Sequence, residues 1–292
     1  MLSLKHLLLP TDFSLRTKAV ATYATGLARH FQARLTLVHV LPPLDIARPA
    51  MQDSGTLFDQ VLQDQRDLAQ KQLDSFLRSE LNGFNVTRVL LEGDPANAIV
   101  QYAHATEVSL IMMPTQGCGP FRPFILGSVT AKVLHDANCP VWTDTHIEET
   151  TAGVSSGVRT VVCAVDITPE SAVPLRWAAE FASEFKARLI VIHALPTLDF
   201  HPGTYYIDAE RRKRIVAEAT SAVAKLLQGC CSSGAETRVE SGSIPRAVRS
   251  TTEDQRANLL VIGRASTTGT FGRLRTNSYA IIDESPCPVV SV

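Results

Sequence analysis

The sequence predicts an α/β architecture of two tandem doubly wound domains, each a five-stranded parallel sheet of order 3-2-1-4-5 with helices on both faces. Three observations predict it. The chain has 292 residues, and single domains typically hold roughly 100–200. It also repeats itself: "GLARHFQARLTLVHVLP" at 26–42 matches "EFASEFKARLIVIHALP" at 180–196, at a constant offset that carries Asp12 onto Asp166. Within each copy, short apolar runs alternate with amphipathic stretches, as parallel βαβ units with right-handed crossovers require. The match continues at a slightly smaller offset, "EGDPANAIV" with "SGSIPRAVR" and "NCPVWT" with "PCPVVSV", so the copies differ by a few residues that loops absorb. The expected domains are residues 1–145 and 158–292, joined by a polar Gly/Ser/Thr-rich linker at 146–157.

Each copy opens on an apolar run ending in Asp, "HLLLPTD" or "TVVCAVD", which reads as the first strand. Ser14 and Ser171 stand at the N-cap positions of the helices that run to Phe31 and Phe185. Next, "RLTLVHV" and "RLIVIHA" are too apolar on both faces for a solvated sheet and predict central parallel strands. A longer helix follows, because Phe58, Val61, Leu62, Leu68, Ala69, Leu73, Phe76 and Leu77 recur mostly at steps of three and four. Its counterpart uses Ile215, Val216, Ala219, Val223, Leu226 and Leu227, with "ERRKR" at 210–214 as the solvated face. "VTRVLLEG" and "TRVESG" are the third strands. Asp94-Pro95 then joins an N-cap to a proline at the first helical position and opens "PANAIVQYAHA". "VSLIMM" and "NLLVIG" are the fourth strands, "VTAKVLHDA" is the last helix of the first copy, and "PVWT" and "PVVSV" are the fifth strands. Those fifth strands are sheet edges, and pairing them within one chain would cover both; a homodimer is the other way to do so.

Composition narrows the function classes. Hydrophobic residues make up 45% and charged residues 20%, ordinary for a globular chain. A net charge of -1 offers no basic footprint for nucleic acid. No apolar run approaches the ~18–20 residues that cross a bilayer. The opening "MLSLKHLLLP" stops at Pro10 and Asp12 without a small-residue cleavage site, so it reads as a strand and not as a signal peptide. Cys118, Cys139, Cys163, Cys230, Cys231 and Cys287 form no C-x-x-C pair, which suits free thiols in a reducing cytoplasm. Cys139 and Cys287, each before a proline and the last strand, read as small buried packing residues.

In a sheet of order 3-2-1-4-5 a ligand belongs at the carboxyl ends of strands 1 and 4, where the winding reverses. The loops there are "PTDFS" (10–14) and "PTQGCGPFRPFILGSVT" (114–130); the second is either a phosphate cradle or a long loop that needed glycines to turn. Gly117 and Gly127 let backbone approach a ligand closely. The N–H groups of Ser128, Val129 and Thr130 begin a helix, where anions are favoured, and Ser128 and Thr130 add hydroxyls. Asp12 can accept from ribose hydroxyls or an adenine amino group, and the Val40 backbone can pair with a base edge. There is no G-x4-G-K-[S/T], and "GCG" follows the fourth strand instead of the first. His39 and His193 recur without a paired Ser or Cys nearby and read as structural. No carboxylate pair or metal-ligand cluster suggests hydrolytic machinery, so no catalytic residue is assigned.

The motifs "PTDFS", "LVHVLPP", "EGDPANAI" and G-x9-G-S-V-T before "NCPV" resemble the universal stress proteins, and the duplication resembles their tandem form. The resemblance covers nearly all of both halves. It implies an ATP-binding cytoplasmic stress-response regulator, with or without Mg or Mn on the phosphates; the alternatives are an interaction scaffold with degenerate pockets and a weak ATPase. It also implies Pro10, Thr11, Asp12 and Val40 near the adenosine, Met113 at the pocket wall, and Gly117, Gly127, Ser128, Val129 and Thr130 around the phosphates. The family pattern G-x2-G-x9-G-[S/T] is met from Gly117 onward, with Pro114 in place of its first glycine. The second copy keeps Gly263 but has Ser266 and "LRTNSYA" where the rest of the pattern should stand, and adds Arg264, Arg273 and Arg275. Nucleotide is therefore expected in the first domain.

Overall fold

The computed structural model describes residues 2–43, 55–116, 126–144, 157–195, 209–230, 234–264 and 276–292, with the side chains of 55–58, 209 and 276 outside the description. In chain order the first copy gives β1 (His6–Pro10), α1 (Leu15–Phe31), β2 (Arg34–Leu41), α2 (Gly55–Ser75), β3 (Val86–Glu92), α3 (Pro95–Ala105), β4 (Leu110–Pro114), α4 (Ser128–Asp136) and β5 (Val141–Asp144). The second gives β6 (Thr160–Ala164), a 3-10 turn (Pro169–Ser171), α5 (Ala172–Phe185), β7 (Arg188–Leu195), α6 (Ala209–Cys230), β8 (Glu236–Ser241), α7 (Ile244–Asp254), β9 (Leu259–Ile262), α8 (Thr276–Glu284) and β10 (Val289–Ser291).

Contacts divide the chain into two compact units, one gathering most of residues 4–139 and the other residues 140–292. In the first, β1 lies between β2 and β4, parallel to both, and β3 extends the sheet beyond β2. Every residue of β1 and β4 is buried, so the layer is covered on both faces, as a parallel sheet demands. In the second, parallel pairing gives the order β8-β7-β6-β9-β10, which is 3-2-1-4-5. This unit also holds β5, which runs antiparallel to β10 with Trp142 opposite Val290 and Val141 opposite Ser291. The fold class is that expected from the sequence.

The repeat extends to chain reversals that sequence periodicity does not describe. α1 ends at Gln32 (φ 52°) and α5 at Lys186 (φ 53°), both left-handed. The next residues close equivalent bonds, from Ala33 N–H to the Ala28 carbonyl and from Ala187 N–H to the Ala182 carbonyl. Gly93 (φ 126°) and Gly242 (φ 148°) likewise leave β3 and β8 in a conformation that only glycine adopts easily. Their N–H groups reach back to Leu41 and Leu195.

Three local expectations need correction. Ser14 holds the N-cap position of α1, but its side chain makes no capping bond. Ser171 is helical (φ -64°, ψ -13°) because the chain has already entered a 3-10 turn at Pro169, whose ring presets the angle for a first turn. Leu68, placed by periodicity on the apolar face of α2, is 67% exposed, while Ala69 and Leu73 face inward; one residue of drift on a 21-residue helix is enough to turn it out.

Candidate functional site

β1 and β4 run side by side with Leu7 opposite Leu110 and Leu8 opposite Ile111. Being parallel, they deliver their following loops to the same edge of the sheet, the carboxyl edge. Continuing that register sets Pro10 level with Met113, and β2 brings Val40 to the same edge, two residues beyond the Pro10–Val38 pair. The loop carrying Asp12 and the return into α4 are therefore neighbours at the switch point.

The side chains divide into two groups. Those of Pro10, Thr11, Val40, Met113 and Thr130 are buried, so the strand-end residues offer a ligand backbone atoms and not side chains. Asp12 and Ser128 are exposed, and Gly127 and Val129 half-buried. Gly117 and Cys118 lie outside the described residues, as do Ser266, Arg273 and Arg275 of the second copy.

The first loop is tightly specified. Thr11 N–H donates to the Val38 carbonyl at 2.8 Å, Phe13 N–H to Thr11 Oγ1 at 2.9 Å, and Ser14 N–H to Asp12 Oδ1 at 3.1 Å. These local turns carry the backbone through a left-handed Phe13 (φ 63°), which is uncommon for a non-glycine. The start of α4 is fixed from the opposite side. Gly127 N–H donates to the Thr115 carbonyl at 2.8 Å, and Thr130 Oγ1 donates to the Pro114 carbonyl at 3.0 Å. The Thr130 hydroxyl proton thus holds the helix to the end of β4 instead of facing a ligand. Pro114 is the last residue of β4, where a missing N–H is tolerated, and its carbonyl serves as the anchor. With Gly127 extended at the N-cap (φ -61°, ψ 144°), the N–H groups of Ser128, Val129 and Thr130 open the first turn with no carbonyl of their own helix to bond. Lys132 lies one turn further on, 3.0 Å from Asp94, the residue that caps α3 by accepting from Asn97 N–H. That amide and Lys132 together hold the Asp94 carboxyl below the usual range.

Sequence reasoning did not single out the Pro114 and Thr115 carbonyls or Phe13 as parts of the site, and it read His39 as structural. The repetition of His39 as His193 was the one signal available. Beside the switch point, at the ends of β2 and β3, lies a cavity of about 310 Å³ lined by Leu41, Pro42, Pro43, Leu62 and the Arg66–Glu92 ion pair, among others. In the second copy Asp166 is exposed, as Asp12 is, and a Cβ at Gly263 would meet Pro174 Cγ at 3.2 Å. Of the two cysteines expected to be buried, Cys139 is only half-buried, while Cys287 is buried and desolvation pushes its thiol up to about 12, which leaves it inert at neutral pH. Among the described residues no helix is long and apolar enough to cross a membrane.

The model of the Universal stress protein family matches residues 3–143 and again 157–292. A universal stress protein of Methanocaldococcus jannaschii is 30% identical over 137 residues, 47% of this chain and 79% of its own. Another from Thermus aquaticus is 34% identical over 143 residues, 47% of this chain and 96% of its own. Among solved structures, a universal stress protein from Archaeoglobus fulgidus aligns over 99% of this chain and 96% of its own (20% identity, TM-score 0.67). A putative universal stress protein from Pseudomonas aeruginosa aligns over 99% and 93% (21% identity, TM-score 0.66). A half-length universal stress protein with 19% identity and a TM-score of 0.37 was solved in complex with cAMP.

Proposed function

We propose, given that the chain belongs to the universal stress protein family and carries its domain twice, that it is an ATP-binding stress-response regulator of the cytoplasm holding nucleotide in its first half. One observation carries this reading. The Asp12 loop and the N-terminus of α4 leave adjacent parallel strands at one edge, and each is independently held in place. That juxtaposition sets a hydrogen-bond acceptor for ribose or base against a row of backbone donors for phosphates. The N–H groups of Ser128, Val129 and Thr130 would hold the triphosphate, aided by the Ser128 hydroxyl and by the absence of a side chain at Gly127. Mg or Mn, if bound with the nucleotide, would be held by the phosphates and would supply charge neutralisation there, since no cluster of metal-ligating side chains occurs among the described residues. The second half, which has Ser266 and "LRTNSYA" where the rest of the motif should stand, serves another ligand or none.

Isothermal titration of the intact chain with ATP, with and without Mg, tests this. Saturable binding near one equivalent is the expected result, weakened at least about tenfold by Ser128→Ala, which loses one charge-assisted hydrogen bond worth about 1.5–3 kcal/mol, and weakened also by Gly127→Val, whose side chain obstructs close approach. A folded chain that takes up no adenine nucleotide favours the scaffold reading. Phosphate release that vanishes in Asp12→Asn would instead make the chain a weak ATPase.

A further inference from the structure

We propose that His39 is a positioning residue for the first half's ligand loop, fixing the plane of the Thr11–Asp12 peptide from which the Asp12 carboxylate projects. Its Nδ1 lies 2.7 Å from the Thr11 carbonyl oxygen and donates to it. The Thr11 N–H donates in turn to the Val38 carbonyl, so β2 grips this residue by both of its backbone polar groups. The imidazole cannot easily turn away from the bond. Phe13 stacks on it at 4.2 Å between centroids with planes tilted by 33°, and Phe13 is itself held edge-on by Phe76 at 5.4 Å. This aromatic pair also supports the left-handed Phe13, a conformation uncommon for a non-glycine residue.

The second copy separates clamp from stack. His193 Nδ1 lies 2.9 Å from the Val165 carbonyl, and Val165 N–H donates to Ile192, so the two-sided grip is repeated. At the place of Phe13 stands Ile167, 40% exposed and absent from the left-handed residues. The histidine is thus common to both strand-1 exits, while its aromatic lock occurs beside the loop of the copy that keeps more of the ligand motif. What Asp12 is held for rests on the nucleotide reading above; that the loop is held does not. Preorganising a side chain to within fractions of an ångström is what a binding loop needs from its supports.

The test uses the intact chain and three variants: His39→Leu removes the donor, His39→Asn offers an amide N–H at nearly the position of Nδ1, and His193→Leu controls for loss of the same bond in the other copy. Without nucleotide, hydrogen exchange at the Phe13 and Ser14 amides should quicken about tenfold in His39→Leu and return toward the native rate in His39→Asn. Titrated ATP should bind about tenfold more weakly to His39→Leu, recover with His39→Asn and stay unchanged in His193→Leu. Native exchange at Phe13 and Ser14 in His39→Leu overturns the proposal whatever ATP does. Faster exchange with unaltered ATP affinity overturns the link to the ligand. Faster exchange in a chain that binds no ATP leaves the clamp standing and removes the nucleotide reading instead.

Discussion

Asp12 is exposed, and one of its carboxylate oxygens accepts the Ser14 amide, so the side chain enters the candidate site already oriented. Asp12→Ala should weaken ATP binding about tenfold, seen by titration, while lowering stability by no more than the roughly 0.5–1.5 kcal/mol that its bond to the Ser14 amide is worth. His6 behaves in the opposite way. It is buried in β1, its Nδ1 donates to the Thr106 carbonyl and its Nε2 accepts from Thr36 Oγ1. Burial lowers its pKa, the Thr106 carbonyl opposes that, and Arg34 adds to it. Because the folded pKa lies below the unfolded value near 6.5, the neutral form's contribution is fully present above that pH and is lost as pH falls through the folded pKa. Melting curves from pH 7.5 to 5 should therefore drop, and His6→Gln should flatten the drop. The residue types of the site were legible in the sequence; their orientations were not. Thr130 carries the right hydroxyl in the right motif, yet tertiary packing directs that proton to Pro114.

Between elements, the end of α2 depends on a residue from another strand. Arg88 of β3 reaches the Leu73 and Phe76 carbonyls, which the helix itself cannot satisfy. Arg88→Met keeps the aliphatic stem and removes both bonds; the expected loss is about 1–2 kcal/mol in urea unfolding. The glycines that leave β3 and β8 provide a paired test: Gly93→Ala and Gly242→Ala should each cost roughly 1–3 kcal/mol, since neither is crowded and only the positive φ resists a side chain. Elements were read from the sequence where apolar period and caps agreed, as at Asp94-Pro95, where α3 begins as expected. The reading slipped where a single cue stood alone. A serine before an apolar run suggested a cap at Ser171, and the proline two residues earlier had already started the turn.

At the scale of the whole chain, duplication and strand order could both be read from internal repetition and alternation. The pairing of β5 with β10 was legible only as one of two ways to cover the edge strands, within one chain or in a homodimer, and the structure shows the first, with Thr143 Oγ1 donating to the Val289 carbonyl across 146 residues. A chain cut after residue 144 would leave β5, whose four residues are all buried in the intact protein, as a sheet edge without its β10 partner. Light scattering should find that fragment self-associated, and the intact chain should show less association at equal concentration.

The same antiparallel seam has a consequence for biosynthesis. At roughly 5–20 residues per second a ribosome needs on the order of ten seconds to travel from β5 to β10. For that interval each nascent chain displays an unmated hydrogen-bonding rim to its neighbours on the polysome. Chaperone demand should accordingly peak midway through translation and not at release.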